Sequence, residues 1–280
     1  MWDAARQRLL FVDIEAGSIH AVTDAGRVEC LHRSAARVGA LALSDGDGLI
    51  FTEGAGVARL ALGTGQVCAR AAPVASDARY RFNDGACDPQ GRFVTGLMDQ
   101  GPVRMPGTLY RFDADLAATP LHVGIGLPNG LAWSHDGQTV FFVDSLARSI
   151  FQAPYASDGP LGPVTPFVQT PESLGRPDGI ALDAEHGMWV CQFGGGCLLY
   201  YDRAGQLRRQ VAMPVPHPTS CCFGGPDLDT LYITTASFTL SDAQRQAYPD
   251  AGAVYAIRPP VRGVERHGFR ARLPGRDGAR

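Results

Sequence analysis

Three oxygen-bearing side chains recur at one position of a repeated unit in this sequence. Asn83, Asn129 and Asp178 each stand five residues before a polar turn that leads into a hydrophobic strand. Amide and carboxylate oxygens are the ligands that hard divalent cations prefer. Each residue alone could simply shape the turn before its strand. Their recurrence at one repeat position favours a shared polar site instead.

Two neighbours in the sequence extend this candidate site. Arg81 lies two residues before Asn83, and Asp84 directly follows it. A guanidinium group donates hydrogen bonds to hydroxyls, ring oxygens or a developing oxyanion. The pair Asp144 and Ser145 ends a predicted strand, and that position favours a structural role for both.

The strands that must position these side chains form a repeat. Short apolar runs bounded by Gly, Asp and Pro recur at roughly 40 to 50 residues, a period typical of propeller blades. Six units of three or four strands predict an all-β protein, a six-bladed β-propeller. A barrel of alternating strands and helices would need amphipathic helices between its strands. Only 241–247 reads as a helix, opened by a possible Ser cap.

The first strand of each propeller blade lines the central channel, so equivalent residues converge on one axis. We therefore expect Asn83, Asn129 and Asp178 to meet around an axial site. In the unit that contains Asp178, the sequence predicts a first strand at 179–182 with Asp178 just before it. Gly39 and Thr219 occupy the same position in two further copies.

Composition narrows the class of protein and its partners. The chain has 280 residues, 45% of them hydrophobic, so we expect one globular domain over 1–280 with a disordered tail at 270–280. A net charge of −3 gives no reason to expect nucleic acid or a membrane surface as partner. Seven cysteines without a CxxC pair, and an N-terminus without a visible signal peptide, predict a cytoplasmic protein with free thiols. We also expect a monomer.

Motifs spread along nearly the whole chain resemble those of the SMP-30/gluconolactonase/regucalcin family of sugar lactonases. They are RFNDG at 81–85, DPQGR at 88–92, LPNGLAW at 127–133, RPDGIALD at 176–183, PTSCCFGG at 218–225 and AGAVY at 251–255. Each motif is weak alone, but the set follows the order of the family. The resemblance implies a six-bladed propeller with one divalent metal ion (Ca, Zn, Mn, Mg or Fe) at its axis. It also implies a sugar lactone as the substrate.

The resemblance assigns roles to individual residues. It implies that Asn129 and Asp178 are metal ligands, and that Arg81 and Asn83 contact the substrate. We add Asp84 to the substrate contacts because of its place in the sequence. The substrate-contacting acidic residue of the family has no clear counterpart, since Met-Asp-Gln-Gly at 98–101 replaces it.

One further ligand of the family is missing from this sequence. The family carries a glutamate in an N-terminal E-x-P-x-W segment, and that glutamate would precede Met1. In the family pattern an apolar residue, often valine, stands where this chain has Met1, and a valine GTG codon can serve as a bacterial start codon. We therefore expect that the first strand is truncated and that the natural start lies upstream. Sequencing the N-terminus of the native protein tests this hypothesis.

These assignments predict metal-dependent hydrolysis of an aldonolactone to the aldonic acid by water that the cation activates. Asp178 would serve as both ligand and general base, because a carboxylate beside a cation stays ionised at neutral pH. The missing glutamate supports an alternative, a non-catalytic or inactive propeller that binds a metal or a small ligand. A third possibility is an esterase or lactonase of this fold that acts on a non-sugar ester.

Overall fold

Six antiparallel sheets form the blades of a β-propeller, as the repeat predicts. The computed structural model describes residues 1–23, 25–74 and 78–271. Blades 1 to 3 contain β1 (Trp2–Asp3), β2 (Arg8–Asp13), β3 (Ser18–Thr23), β4 (Val28–Arg33), β5 (Leu41–Ser44), β6 (Gly48–Glu53), β7 (Gly56–Ala61), β8 (Gln66–Ala71), β9 (Tyr80–Cys87), β10 (Phe93–Asp99), β11 (Gly107–Phe112) and β12 (Ala118–Ile125). Blades 4 to 6 contain β13 (Pro128–Trp133), β14 (Thr139–Asp144), β15 (Ser149–Pro154), β16 (Thr165–Gln169), β17 (Arg176–Leu182), β18 (Met188–Phe193), β19 (Cys197–Tyr201), β20 (Leu207–Ala212), β21 (Pro218–Gly224), β22 (Thr230–Thr235) and β23 (Val254–Ile257).

The hydrophobic core lies in layers between neighbouring blades. In β18, Met188 and Val190 pack towards blade 4, whereas Trp189 and Cys191 pack towards blade 6. Successive side chains of a strand point to opposite faces, so a strand covered on both faces reads as the continuous apolar run MWVC. This is why the blade strands could be located from short apolar runs rather than from alternation.

A single α-helix, α1 (Asp242–Ala247), lies between β22 and β23 in the described part of the chain, and a 3-10 turn at Glu172–Leu174 precedes β17. Its predicted cap is confirmed, because the Ser241 hydroxyl accepts a hydrogen bond from the backbone N–H of Gln244. The Gln244 side chain accepts in return from the backbone N–H of Ser241, which completes a capping box. Among the residues described, no helix has the length and apolarity that crossing a membrane requires.

The predicted start of the first strand in blade 5 is wrong. That strand, β17, begins at Arg176, so Asp178 lies inside it and not before it. Pairing with β18 continues through Arg176 and Pro177, with an irregularity between Pro177 and Ile180. The Pro-Asp-Gly sequence reads as a turn, whereas here it forms a bulge within a paired strand.

The segment 261–271, which we call the strap, crosses one end of the channel. Its backbone hydrogen-bonds to the turns after the first strands of blades 5 and 3, where Ala184 N donates to Arg262 O at 2.9 Å and Arg270 N to Gly91 O at 2.7 Å. It also bonds to β5 of blade 2, where Phe269 N donates to Leu43 O at 2.7 Å. The Phe269 side chain is fully buried in the core between blades 2 and 3. Arg270 and Ala271 of the predicted tail belong to the strap, and 272–280 lie outside the described residues.

An aspartate turn between the first two strands of blade 5 predicts a measurable contribution to stability. The carboxylate of buried Asp183 accepts hydrogen bonds from the backbone of Glu185 (3.0 Å) and Gly187 (2.8 Å) and from the Trp189 indole (3.3 Å). Asp183→Ala would leave these donors without their acceptor, so we expect the free energy of unfolding to fall by about 3 kcal/mol. Urea unfolding at equilibrium measures this change.

The matched control for this prediction is Asp202→Ala. Asp202 makes the same two backbone contacts in the turn between β19 and β20, but that turn is near solvent. Water can replace the lost acceptor there, so the loss should be about 1 kcal/mol. Equal losses in the two variants would contradict the role assigned to burial.

Candidate functional site

The inner strands of four consecutive blades are interrupted at the predicted site position. In β9, Asn83 and Asp84 together oppose one residue of β10, and the ladders of β13, β17 and β21 shift register at the same place. A β-bulge bends its strand and redirects a side chain, and bulges are common beside active sites. The extra residues fall at or next to Asn83, Asn129, Asp178 and Thr219. The repeat position is therefore also a structural break in each strand.

Close approach of neighbouring inner strands brings these positions together. A Cβ atom on Gly130 would lie 2.5 Å from the carbonyl oxygen of Asp178 in the next blade. A Cβ atom on Gly179 would collide with Ser220, and one on Gly39 with the backbone of Asn83. The glycines of the PNG and PDG motifs are therefore required by the contact between adjacent blades.

Asn83, Asn129 and Arg81 form one hydrogen-bonded group. The Nδ2 atom of Asn83 donates to Asn129 Oδ1 at 2.6 Å and to the carbonyl oxygen of Pro128 at 2.8 Å. Arg81 Nη1 donates to Asn83 Oδ1 at 2.7 Å. The two asparagines are each only 7% exposed, so their amide groups are held by protein contacts. The structure thus brings together three of the residues that the sequence singles out.

Ser145, for which the sequence favours a structural role, belongs to the same group. Asn129 Nδ2 donates to Ser145 Oγ at 2.8 Å, and Ser145 Oγ donates to the carbonyl oxygen of Pro177 at 2.6 Å. The hydroxyl therefore fixes the orientation of the Asn129 amide and links blades 4 and 5. The pairing of Pro128 with Asp144 places this residue beside the site, and antiparallel register is the signal that could have found it.

Asp144 has a structural role, as its position predicts. Its carboxylate accepts hydrogen bonds from the backbone N–H groups of four residues, Gly126, Leu127, Leu146 and Ala147. These bonds join the two loops on either side of the predicted ligand Asn129.

Two carboxylates line the same channel. Burial raises the pKa of Asp178 well above its usual range; the charge of Asp84 raises it further and Arg81 opposes the rise. Burial also raises the pKa of Asp84, and the positive charge of Arg266 in the strap opposes this rise. Arg266 is held beneath the channel by hydrogen bonds from Nη2 to the carbonyl oxygens of Ile180 (2.8 Å) and Cys221 (2.9 Å).

The chemistry of these groups fits a cation. Among the described residues, no hydrogen-bond donor is recorded for the Asp178 carboxylate, so its negative charge has no such compensation inside the channel. The described part of the chain also contains no group of three or more His, Cys, Asp or Glu side chains placed to hold a metal ion. Asn129 Oδ1, which accepts one hydrogen bond from Asn83 Nδ2, is an amide oxygen with a second lone pair that a cation could use. The position of the predicted glutamate precedes Met1, so that ligand stays a prediction.

The chain is similar in sequence to one protein family and to proteins named as lactonases. A family model described as the SMP-30/gluconolactonase/LRE-like region matches residues 1–237. A pentonolactonase of Haloferax volcanii is 35% identical over 84% of this chain and 80% of its own length. A 6-deoxy-6-sulfogluconolactonase of Pseudomonas putida is 34% identical over 94% of this chain and 91% of its own length.

Solved structures agree with this assignment. A calcium-binding protein of Agrobacterium tumefaciens, named regucalcin, superimposes with a TM-score of 0.90 at 26% identity. That alignment covers 98% of this chain and 92% of the other. The resemblance found in the sequence motifs is confirmed: this chain belongs to the SMP-30/gluconolactonase/LRE-like family.

Proposed function

We propose that this protein is a metal-dependent lactonase that hydrolyses sugar lactones to the open aldonic acids. The observation that carries the proposal is the Asp178 carboxylate, which lies at a bulge in the channel without a recorded donor among the described residues. Beside it stands an oriented group of amide and guanidinium side chains. Relatives named as lactonases support the reaction class.

Asn129 and Asp178 would hold the cation through oxygen atoms, with Asp84 close enough to add negative charge. When bound, a divalent cation supplies Lewis-acid chemistry, polarising a carbonyl group and lowering the pKa of water. The protein's part is to fix the orientation of the Asn129 amide, through the bond from its Nδ2 to Ser145 and the bond from Asn83 Nδ2 to its Oδ1. A fixed amide costs less to reorganise when a ligand arrives.

Proton transfer and binding of the lactone oxygens fall to different side chains of the site. Asp178 takes a proton from the attacking water as the new C–O bond forms at the lactone carbonyl carbon. The ring C–O bond then breaks, and the leaving ring oxygen takes the proton from Asp178 and becomes a hydroxyl of the aldonic acid, which returns Asp178 to its carboxylate form. Arg81 donates towards the lactone oxygens, because no described acceptor is recorded for its Nη2 atom. Asn83 holds Arg81 and Asn129 at a fixed separation.

The first test is acid release from a panel of sugar lactones before and after chelation. We expect EDTA to lower the rate at least about 100-fold, and an added divalent cation to restore it, since the cation contributes directly to catalysis. An unchanged rate after chelation would contradict the role of the metal. Binding of a cation or a sugar without turnover would instead support a non-catalytic propeller. Turnover of non-sugar esters alone would support an esterase or lactonase that acts on a non-sugar ester.

Asp178→Asn separates the carboxylate from the shape of the site. The substitution keeps the size of the side chain but removes the charge and the base, so we expect kcat to fall by about 1,000-fold. Cation affinity, measured by calorimetry, should fall as well. Asp84→Asn removes an equal charge from the same channel. It should lower kcat by only about 10-fold, because Asp84 does not take the proton from water in this proposal. The reverse order of the two losses would reassign the base to Asp84.

Ser145→Ala tests whether the orientation of Asn129 matters. Loss of the hydroxyl removes one of the bonds that orient the Asn129 amide, so we expect cation affinity to fall by about 10-fold. Because buried polar groups lose a partner, the free energy of unfolding should also fall, by about 1–2 kcal/mol. Ser149→Ala is the matched control, because Ser149 bonds to Ala147 and Gln169 outside the site. A similar loss of affinity in both variants would argue against a positioning role for Ser145.

A further inference from the structure

Three arginines meet at the mouth of the channel, outside the ring of predicted ligands. Arg37 lies in the loop before β5, Arg81 in β9 and Arg104 in the loop after β10. Arg37 and Arg104 are solvent-exposed, whereas Arg81 is half-buried. We call this group the arginine rim. It includes one residue already assigned to the substrate and two that have no assigned role.

Two of these guanidinium groups converge on one neutral oxygen. Gln100 Oε1 accepts from Arg37 Nη1 at 2.7 Å and from Arg81 Nε at 3.2 Å. An amide oxygen carries only a partial negative charge, whereas a carboxylate or phosphate carries a full charge and can bind a guanidinium group through two parallel hydrogen bonds. The contact therefore marks a place where an anionic oxygen would be held more firmly than the oxygen now there.

The positive charge of the rim is only partly balanced by described residues. Arg37 pairs with Glu15 at 2.7 Å, and nearby Arg79 pairs with Asp99. Among the residues that the structure describes, no ion pair is recorded for Arg81 or Arg104. Burial and then the charges of Arg37 and Arg104 lower the pKa of Arg81 to about 10, against the opposing charges of Glu15 and Asp178.

The loop that carries Arg104 is held on both sides of this residue. The Asp99 carboxylate accepts from the backbone of Gly101 at 2.7 Å and of Met105 at 2.9 Å. Arg79 Nη2 donates to Val103 O at 3.4 Å and to the same carboxylate at 2.6 Å. A fixed loop loses little entropy when a ligand binds, so Arg104 is presented at the mouth in advance.

We propose that the arginine rim is an anion subsite, and that the preferred substrates are sugar lactones bearing a carboxylate, phosphate or sulfonate group. The inference rests on the proposed lactonase function and specifies its substrate class. The lactone ring would lie against Asp178 and Asn129, and its anionic group would displace Gln100 from Arg37 and Arg81. Arg81 would then contact both parts of the substrate.

The test compares kcat/KM for gluconolactone with that for its phosphorylated analogue and for glucarolactone. We expect at least one anionic lactone to be preferred by about 10- to 100-fold, the range for a hydrogen bond to a charged group. The preference should weaken as salt is added, because salt screens exposed charges. Equal or better turnover of the neutral lactone would overturn the subsite and leave the lactonase proposal intact.

A complete lack of turnover would contradict the proposed function but still leave the subsite testable. In that case the probe is the phosphorylated aldonic acid against gluconate, with binding measured by calorimetry. Tighter binding of the phosphorylated acid, by about 10-fold or more, would support the subsite. Equal affinities would overturn it.

Variants of the rim identify the residues responsible. Arg104→Gln should lower kcat/KM for the anionic lactone by about 10-fold or more through KM. Gln100→Glu should lower kcat/KM for the anionic lactone by a similar factor, because the new carboxylate would pair with Arg37 and Arg81 in place of the substrate. Gln100→Ala should preserve the preference for the anionic lactone. Arg245→Gln in α1 removes the same charge from blade 6, which carries none of the rim arginines, and should leave the preference unchanged. A loss in Arg245→Gln equal to that in Arg104→Gln would show an effect of net charge and overturn the subsite.

Discussion

Crowding at the propeller axis is the constraint on which the rest of this structure depends. Neighbouring inner strands approach so closely that a side chain is excluded at Gly39, Gly130 and Gly179. The chain accommodates this contact with glycines and with bulges that interrupt the ladders of four blades. The residues at these breaks are polar, because a bulge exposes backbone and redirects side chains into the channel. Packing between blades therefore determines where the oxygen atoms of the site lie.

A continuous chain of hydrogen bonds connects the axis to the mouth. It runs from Pro177 O through Ser145, Asn129, Asn83 and Arg81 to Gln100, and then to Arg37 and Glu15. The bonds cross five blades, so the side chains of the site are oriented by one another and not by single backbone contacts. Polar networks of this kind are rigid when every member is satisfied. The same connectivity means that a change at the rim reaches the amide groups near the axis.

The sequence predicted the blades well and the site only in outline. Repeated apolar runs locate most strands within a few residues, since second strands such as β6, β10 and β18 bury both faces and are bounded by Gly or Asp. Family membership is confirmed, and the structure brings Arg81, Asn83 and Asn129 together. The sequence predicts Asp178 before its strand and not within it, because Pro-Asp-Gly can form either a turn or a bulge. The roles of Ser145 and Gln100 depend on register and on a loop conformation, and neither is encoded in a short motif.

The strap has a consequence for the order in which the protein can be completed. Phe269 fills the core between blades 2 and 3 and lies far from both in the sequence. Synthesis proceeds from the N-terminus, so these two blades leave the ribosome long before their last core residue does. During that interval the apolar surface later covered by Phe269 is open to solvent and to other chains. The unfinished core between blades 2 and 3 is therefore an aggregation risk for the nascent chain until the strap has been synthesised.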